Sequence, residues 1–223
     1  MHGTHHMRPM LLLPIILGAA AAFSFVGLLA TEDAPPEVRP GPAVQGSVFT
    51  YYDIEAVSDE LAARDLTLST PVPITDHTIP QYCSYYDGAS GKLETVAYCT
   101  TSGITDRNGI TVGNVNMGGS TESPTAAIAV LDPVPPFHSG RGHADAVLVS
   151  VIEGLVCDCW AEEEPGGFES VQSWMNAAEI MLADNPDQSS LRSVVSGLAG
   201  ADIVLEATTV PGGYQWTLII LQQ

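Results

Sequence analysis

The carboxyl-terminal run constrains this chain more than any other segment. Tyr214, Trp216, Leu218 and Ile220 alternate with their neighbours as a strand requires, and Leu218 to Leu221 is apolar on both faces. A strand without a polar face belongs in the middle of a covered sheet, not at its rim. Ile203 to Thr209 precedes it across Pro211-Gly212-Gly213, so the two runs form a closing hairpin. That hairpin is expected to insert among strands formed earlier in the chain.

Earlier strand candidates are present. Gln81 to Tyr86, Leu93 to Thr101 and Ile110 to Asn116 read as an antiparallel meander, broken by 87–91 and by Asn108-Gly109, and Ala126 to Leu131 follows as a further strand. A short strand at Val48–Tyr52 and a helix at about Ala56–Arg64 precede them. After the proline-rich stretch 132–142 the period changes. Leu148, Ile152, Leu155 and Cys159 recur at helical spacing, and Pro165-Gly166-Gly167 stops that helix. Phe168, Val171, Trp174, Met175, Ala178, Met181 and Leu182 share the face of a second helix. Asn185-Pro186 reads as the start of a third, carrying Leu191, Val194, Val195 and Leu198. The expected fold is α+β: a mainly antiparallel sheet, built from the early meander and the terminal hairpin, with two to three helices on one face.

This domain is expected to occupy residues 47–223, behind two segments of different character. Met10 to Ala30 is free of charge and long enough for a helix to cross the hydrocarbon core. It follows Arg8, which stays on the cytoplasmic side, so the domain is expected outside the cytoplasm. Residues 1–30 therefore read as a signal peptide or a retained membrane anchor, with Ala20 and Ala22 offering a cleavage site. Residues 31–46 are rich in proline and read as an extended spacer.

Charge narrows the partners. The 223 residues hold 26 Asp plus Glu against 7 Lys plus Arg, a formal net charge of −19. Such a surface repels phosphate backbones, which disfavours nucleic acid and leaves an envelope protein or a cationic ligand as the expected partner. The same acidity also keeps an exported protein in solution without any specific role.

All four cysteines lie in the exported part, where thiols oxidise. If the first hairpin turns at residue 91, Cys83 faces Cys99 on the adjacent strand, and a Cys83–Cys99 bridge is natural. The pair Cys157 and Cys159 is less ordinary. Two residues apart on a helix means ~200° around the axis, so an intact helix points them apart, and only a helix that ends or bends there lets them bridge or share a metal. A packed or bridged structural role, a redox dithiol, and a soft-metal site for copper or zinc are the three readings of this pair.

No G-x-S-x-G, H-E-x-x-H, P-loop or dinucleotide fingerprint occurs in the sequence. The loop 117–124 has the glycines of a phosphate cradle but no lysine. The loop around His138, Arg141 and His143 is the candidate binding loop, being polar, glycine-rich and placed before a helix. The sequence thus points first to a non-enzymatic interaction or structural module outside the cytoplasm. A thiol-redox or copper- or zinc-binding protein using Cys157 and Cys159 is the alternative, and an extracytoplasmic hydrolase near His138 and His143 is the third.

Overall fold

The computed structural model describes residues 49–86, 92–133 and 141–223. The segment expected to be a leader or anchor, the spacer and His138 lie outside them. Among the described residues no helix is long and apolar enough to cross a membrane.

Ten strands and five helices make up the described chain. The strands are β1 (Leu66–Leu68), β2 (Val72–Pro73), β3 (Ser84–Tyr86), β4 (Leu93–Thr95), β5 (Tyr98–Asp106), β6 (Thr111–Gly119), β7 (Pro124–Leu131), β8 (Ser190–Leu198), β9 (Ala201–Val210) and β10 (Gly213–Gln222). The helices are α1 (Ile54–Ala62), α2 (Ile79–Tyr82), α3 (Arg141–Leu155), α4 (Trp160–Glu163) and α5 (Val171–Asp184). The architecture is α+β with the sheet dominant. The main antiparallel sheet runs β1-β5-β6-β7-β10-β9-β8, and β2 shares with β1 the outer edge of β5. The terminal hairpin is inserted as its apolar pattern demands, with β10 paired to β7 on one side and to β9 on the other.

The two faces of this sheet are covered by different means. On one face Ile104, Val115, Met117, Ala129, Leu205, Trp216, Leu218 and Ile220 join a single core with α1, α3 and α5. The helices α1 and α3 approach so closely that a Cβ on Gly154 would lie 2.8 Å from the backbone nitrogen of Val57. Glycine at this point permits a backbone contact no other residue allows.

On the opposite face one register row crosses six strands: Thr101, Asn116, Ile128, Ile219, Val204 and Val194 are paired in turn from β5 to β8. Its apolar centre, Ile128, Ile219 and Val204, is buried beneath Tyr85 of β3. Residues 74–86 and 92–97 form a strap over this row, with α2 at one end and the β3–β4 ribbon laid across the sheet. Polar contacts fasten it along its length. Asn116 Nδ2 donates to the Tyr82 carbonyl at 3.1 Å, and Arg192 Nη2, on the far strand β8, donates to the Tyr86 carbonyl at 2.7 Å. Gly118 makes room for the strap, since a Cβ there would lie 2.7 Å from Val96 Cγ2.

Several expectations need correcting. The third helix is a strand: residues 190–198 pair with β9 along most of their length. Apolar residues at 191, 194, 195 and 198 fit a helical face, but the open edge of β9 supplies a hydrogen-bond ladder that local periodicity does not register. Asn185 accordingly caps the end of α5, where its Nδ2 donates to the Met181 carbonyl at 2.7 Å, and does not start a new helix. The expected strand at the domain entrance is a 3-10 turn, Tyr51–Asp53. The expected strand Gln81–Tyr86 begins as helix α2, and the run Leu93–Thr101 is divided between the strap ribbon and the main sheet. Finally, α3 ends at Leu155, short of Cys159.

Candidate functional site

A cleft of about 420 Å³ opens at the sheet end where the chain enters the domain. Tyr51, Tyr52 and Tyr98 line it together with Thr50, Pro71, Thr100, Thr121 and Glu122. Its construction starts with a capping box. Thr50 Oγ1 accepts from the Tyr52 N–H at 3.3 Å while Asp53 Oδ2 accepts from the Thr50 N–H at 2.5 Å, which closes the 3-10 turn and presents two successive tyrosines. Tyr51 then spans to the β6–β7 turn and donates its hydroxyl to the Ser120 carbonyl at 2.8 Å. Ser120 is fixed in its turn, its Oγ accepting from the N–H groups of Glu122 and Ser123 at 3.2 and 3.1 Å.

Tyr98, the first residue of β5, meets Tyr51 edge to face, with ring centroids 5.5 Å apart and planes at 90°. This is the favoured aromatic geometry and holds both rings in place before any ligand arrives. Burial, reinforced by the neighbouring Tyr98, pushes the Tyr51 phenol up to about 12, so it remains a neutral donor at physiological pH. Tyr52 is 81% exposed and leaves its ring to solvent at the mouth of the cleft. Glu122 is exposed at the rim, and its carboxylate has no ion-pair partner among the described residues. Lining residues of this kind offer contact surface, aromatic rings and one negative charge.

The residues singled out from sequence are dispersed. Arg141 is buried at the start of α3, where its guanidinium pairs with Glu179 of α5 at 2.8 Å and with Asp145 at 3.2 Å. It is a tie between helices. His143, two residues on, is exposed and lines a different, 280 Å³ depression with Arg64, Asp65, Asp106, Arg107 and Asn108. Two groups there are already committed. Asp106 accepts from the N–H groups of Asn108 and Ile110, both at 2.8 Å, and these hydrogen bonds, with the Ile110 N–H foremost, hold its carboxyl below the usual range. Arg64 is paired with Glu60 and Glu153 at 2.6 and 2.5 Å. The structure therefore does not bring Arg141 and His143 to one site.

Cys83 and Cys99 are bridged, with Cα atoms 6.3 Å apart, but not as neighbours on paired strands. Cys83 caps the end of α2, and Cys99 lies on β5 opposite Gly118 of β6. The bridge is the covalent root of the strap, and both residues are fully buried. Cys157 and Cys159 are also bridged, with Cα atoms 5.2 Å apart, because α3 has ended and the chain turns before α4. In this oxidised form neither sulfur offers a thiolate to copper or zinc. Among the described residues no three metal-ligating side chains converge.

Sequence reasoning missed the tyrosine cleft. Tyr51 and Tyr98 are far apart in sequence and meet only because β5 begins beside the entrance turn; the adjacent pair Tyr51-Tyr52 was the one local hint. No protein-family model, no curated protein and no solved structure matches this chain.

Proposed function

We propose that this chain is an extracytoplasmic, non-enzymatic interaction module that meets its partner through the cleft of Tyr51, Tyr52 and Tyr98. The observation that carries this reading is the fixed Tyr51–Tyr98 pair, anchored to Ser120, beside a ring that stays 81% exposed. Exposed tyrosine supplies large, stiff contact area at small entropic cost, as binding surfaces require. Two disulfides support an oxidising compartment outside the cytoplasm, and the apolar segment 10–30 provides the route there, as an anchor or a cleaved leader.

The test is site-specific photo-crosslinking in intact cells producing the full chain. A benzophenone side chain at Tyr52 is expected to yield a discrete adduct that disappears on adding Tyr98→Ala. The same probe at Ile180, 53% exposed on α5, serves as the control surface. A discrete adduct at 180 with none at 52 overturns the assignment.

A second reading attaches to the Cys157–Cys159 bridge. It is only partly buried and closes a minimal loop at a helix end, so it is accessible to exchange with an external dithiol. Under that reading two electrons and two protons from the dithiol open the bridge, and the resulting thiols are able to take up copper or zinc. Equilibration in dithiothreitol buffers, read by alkylation and mass, is expected to show this pair reduced well before Cys83–Cys99. Reduction of both bridges together counts against it.

A further inference from the structure

We infer that the tyrosine cleft takes an organic cation, specifically a quaternary or alkylated ammonium group, an inference that rests on the cleft being the binding site. Three observations converge on this class. Tyr51, Tyr52 and Tyr98 line the cleft, and the face of an aromatic ring attracts a cation lying within about 6 Å of its centroid. The lining contains no Lys, Arg or His, and its charged member is Glu122, whose carboxylate is free of ion pairing among the described residues. The cleft lies in a chain of net charge −19, so the long-range field draws cations in and keeps anions out.

Alkylated ammonium fits better than a bare one. A primary ammonium gives up a tight hydration shell on entering the cleft, which the aromatic rings and Pro71 do not replace. A methylated ammonium has little such shell to lose and buries its methyl groups against the rings and Pro71. The fixed Tyr51–Tyr98 pair means the pocket wall is built before the ligand binds.

The experiment titrates tetramethylammonium and choline into the full chain in maltoside detergent, by calorimetry and by NMR of the tyrosine ring protons. Saturable binding is expected with a dissociation constant of about 1 mM. Tyr52→Leu and Tyr98→Leu are expected to weaken it about fivefold or more, while Tyr52→Phe and Tyr98→Phe stay within about twofold. Tyr52 is 81% exposed, so its variants report on the ligand even if Tyr98→Leu unfolds the protein. Glu122→Gln is expected to weaken choline about threefold at low salt and much less in high salt.

The neutral isostere of choline, 3,3-dimethylbutan-1-ol, separates charge from shape. Equal binding of that alcohol, or Tyr52→Leu binding choline as wild type does, overturns the proposal. Competition by phosphatidylcholine vesicles identifies a lipid headgroup as the source, and competition by a trimethyl-lysine peptide identifies a modified protein. Absence of choline binding with the Tyr52 crosslink retained overturns the ligand class alone; absence of both overturns the cleft as a binding site.

Discussion

Removing the Cys83–Cys99 bridge tests the strap most directly. The bridge has a sequence separation of 16, for which loop-closure entropy gives about 3 kcal/mol of stabilisation. The Cys157–Cys159 bridge, with a separation of 2, gives about 1.2 kcal/mol on the same relation. Packing widens the difference. Cys83 and Cys99 are 0% exposed in their own cluster with Ile79, so replacement by alanine also removes buried sulfur contacts, about 1 kcal/mol more. We expect the Cys83→Ala/Cys99→Ala variant to lose about 4 kcal/mol in total. With a guanidinium dependence of about 4 kcal/mol per molar, that is a fall of about 1 M in the unfolding midpoint, followed by the fluorescence of the core tryptophans.

Hydrogen exchange locates the effect. The amides of Ile74 and Val96, bonded to the carbonyls of Cys99 and Cys83, are expected to lose protection first, while β9 and β10 keep theirs. Uncovering Ile128, Ile219 and Val204 is also expected to raise binding of an apolar dye. A midpoint shift no larger than that of Cys157→Ala/Cys159→Ala, with strap amides unchanged, refutes the reasoning that the bridge roots the strap.

Three further outcomes are expected. Glu179→Gln leaves the buried Arg141 guanidinium short of its main partner and is expected to cost about 3 kcal/mol or more in chemical denaturation, whereas Arg141→Met with Glu179→Leu restores most of that loss. Gly154→Ala forces α1 and α3 apart at Val57 and is expected to destabilise by about 2 kcal/mol, with a lower Tm as the readout; an unchanged Tm contradicts the close crossing. In an ultraviolet titration Tyr51 is expected to ionise near pH 12, and Tyr51→Phe to remove that step. Because the folded protein holds the Tyr51 proton above the usual value of 10, this group's contribution to stability is complete below pH 10 and is lost as pH rises towards 12.

Features that depend on neighbours along the chain were legible before any fold was known. The Asn108-Gly109 turn, the apolar face of α5 and the alternation of β10 follow from local geometry, and the two-sided hydrophobicity of Leu218–Leu221 placed the terminal hairpin inside the sheet. The rest was settled by contacts that join residues far apart in sequence. Residues 190–198 read as a helix from their spacing, and the free edge of β9 made them a strand by completing backbone hydrogen bonds. Arg141 was a polar loop residue until Glu179 of a distant helix met it in the core, and Cys83 found Cys99 through the packing of α2 on β5 and not through a hairpin. The tyrosine cleft is the extreme case: it has no sequence period, since side-chain surface becomes a site only when separate turns and strand ends are brought to one place.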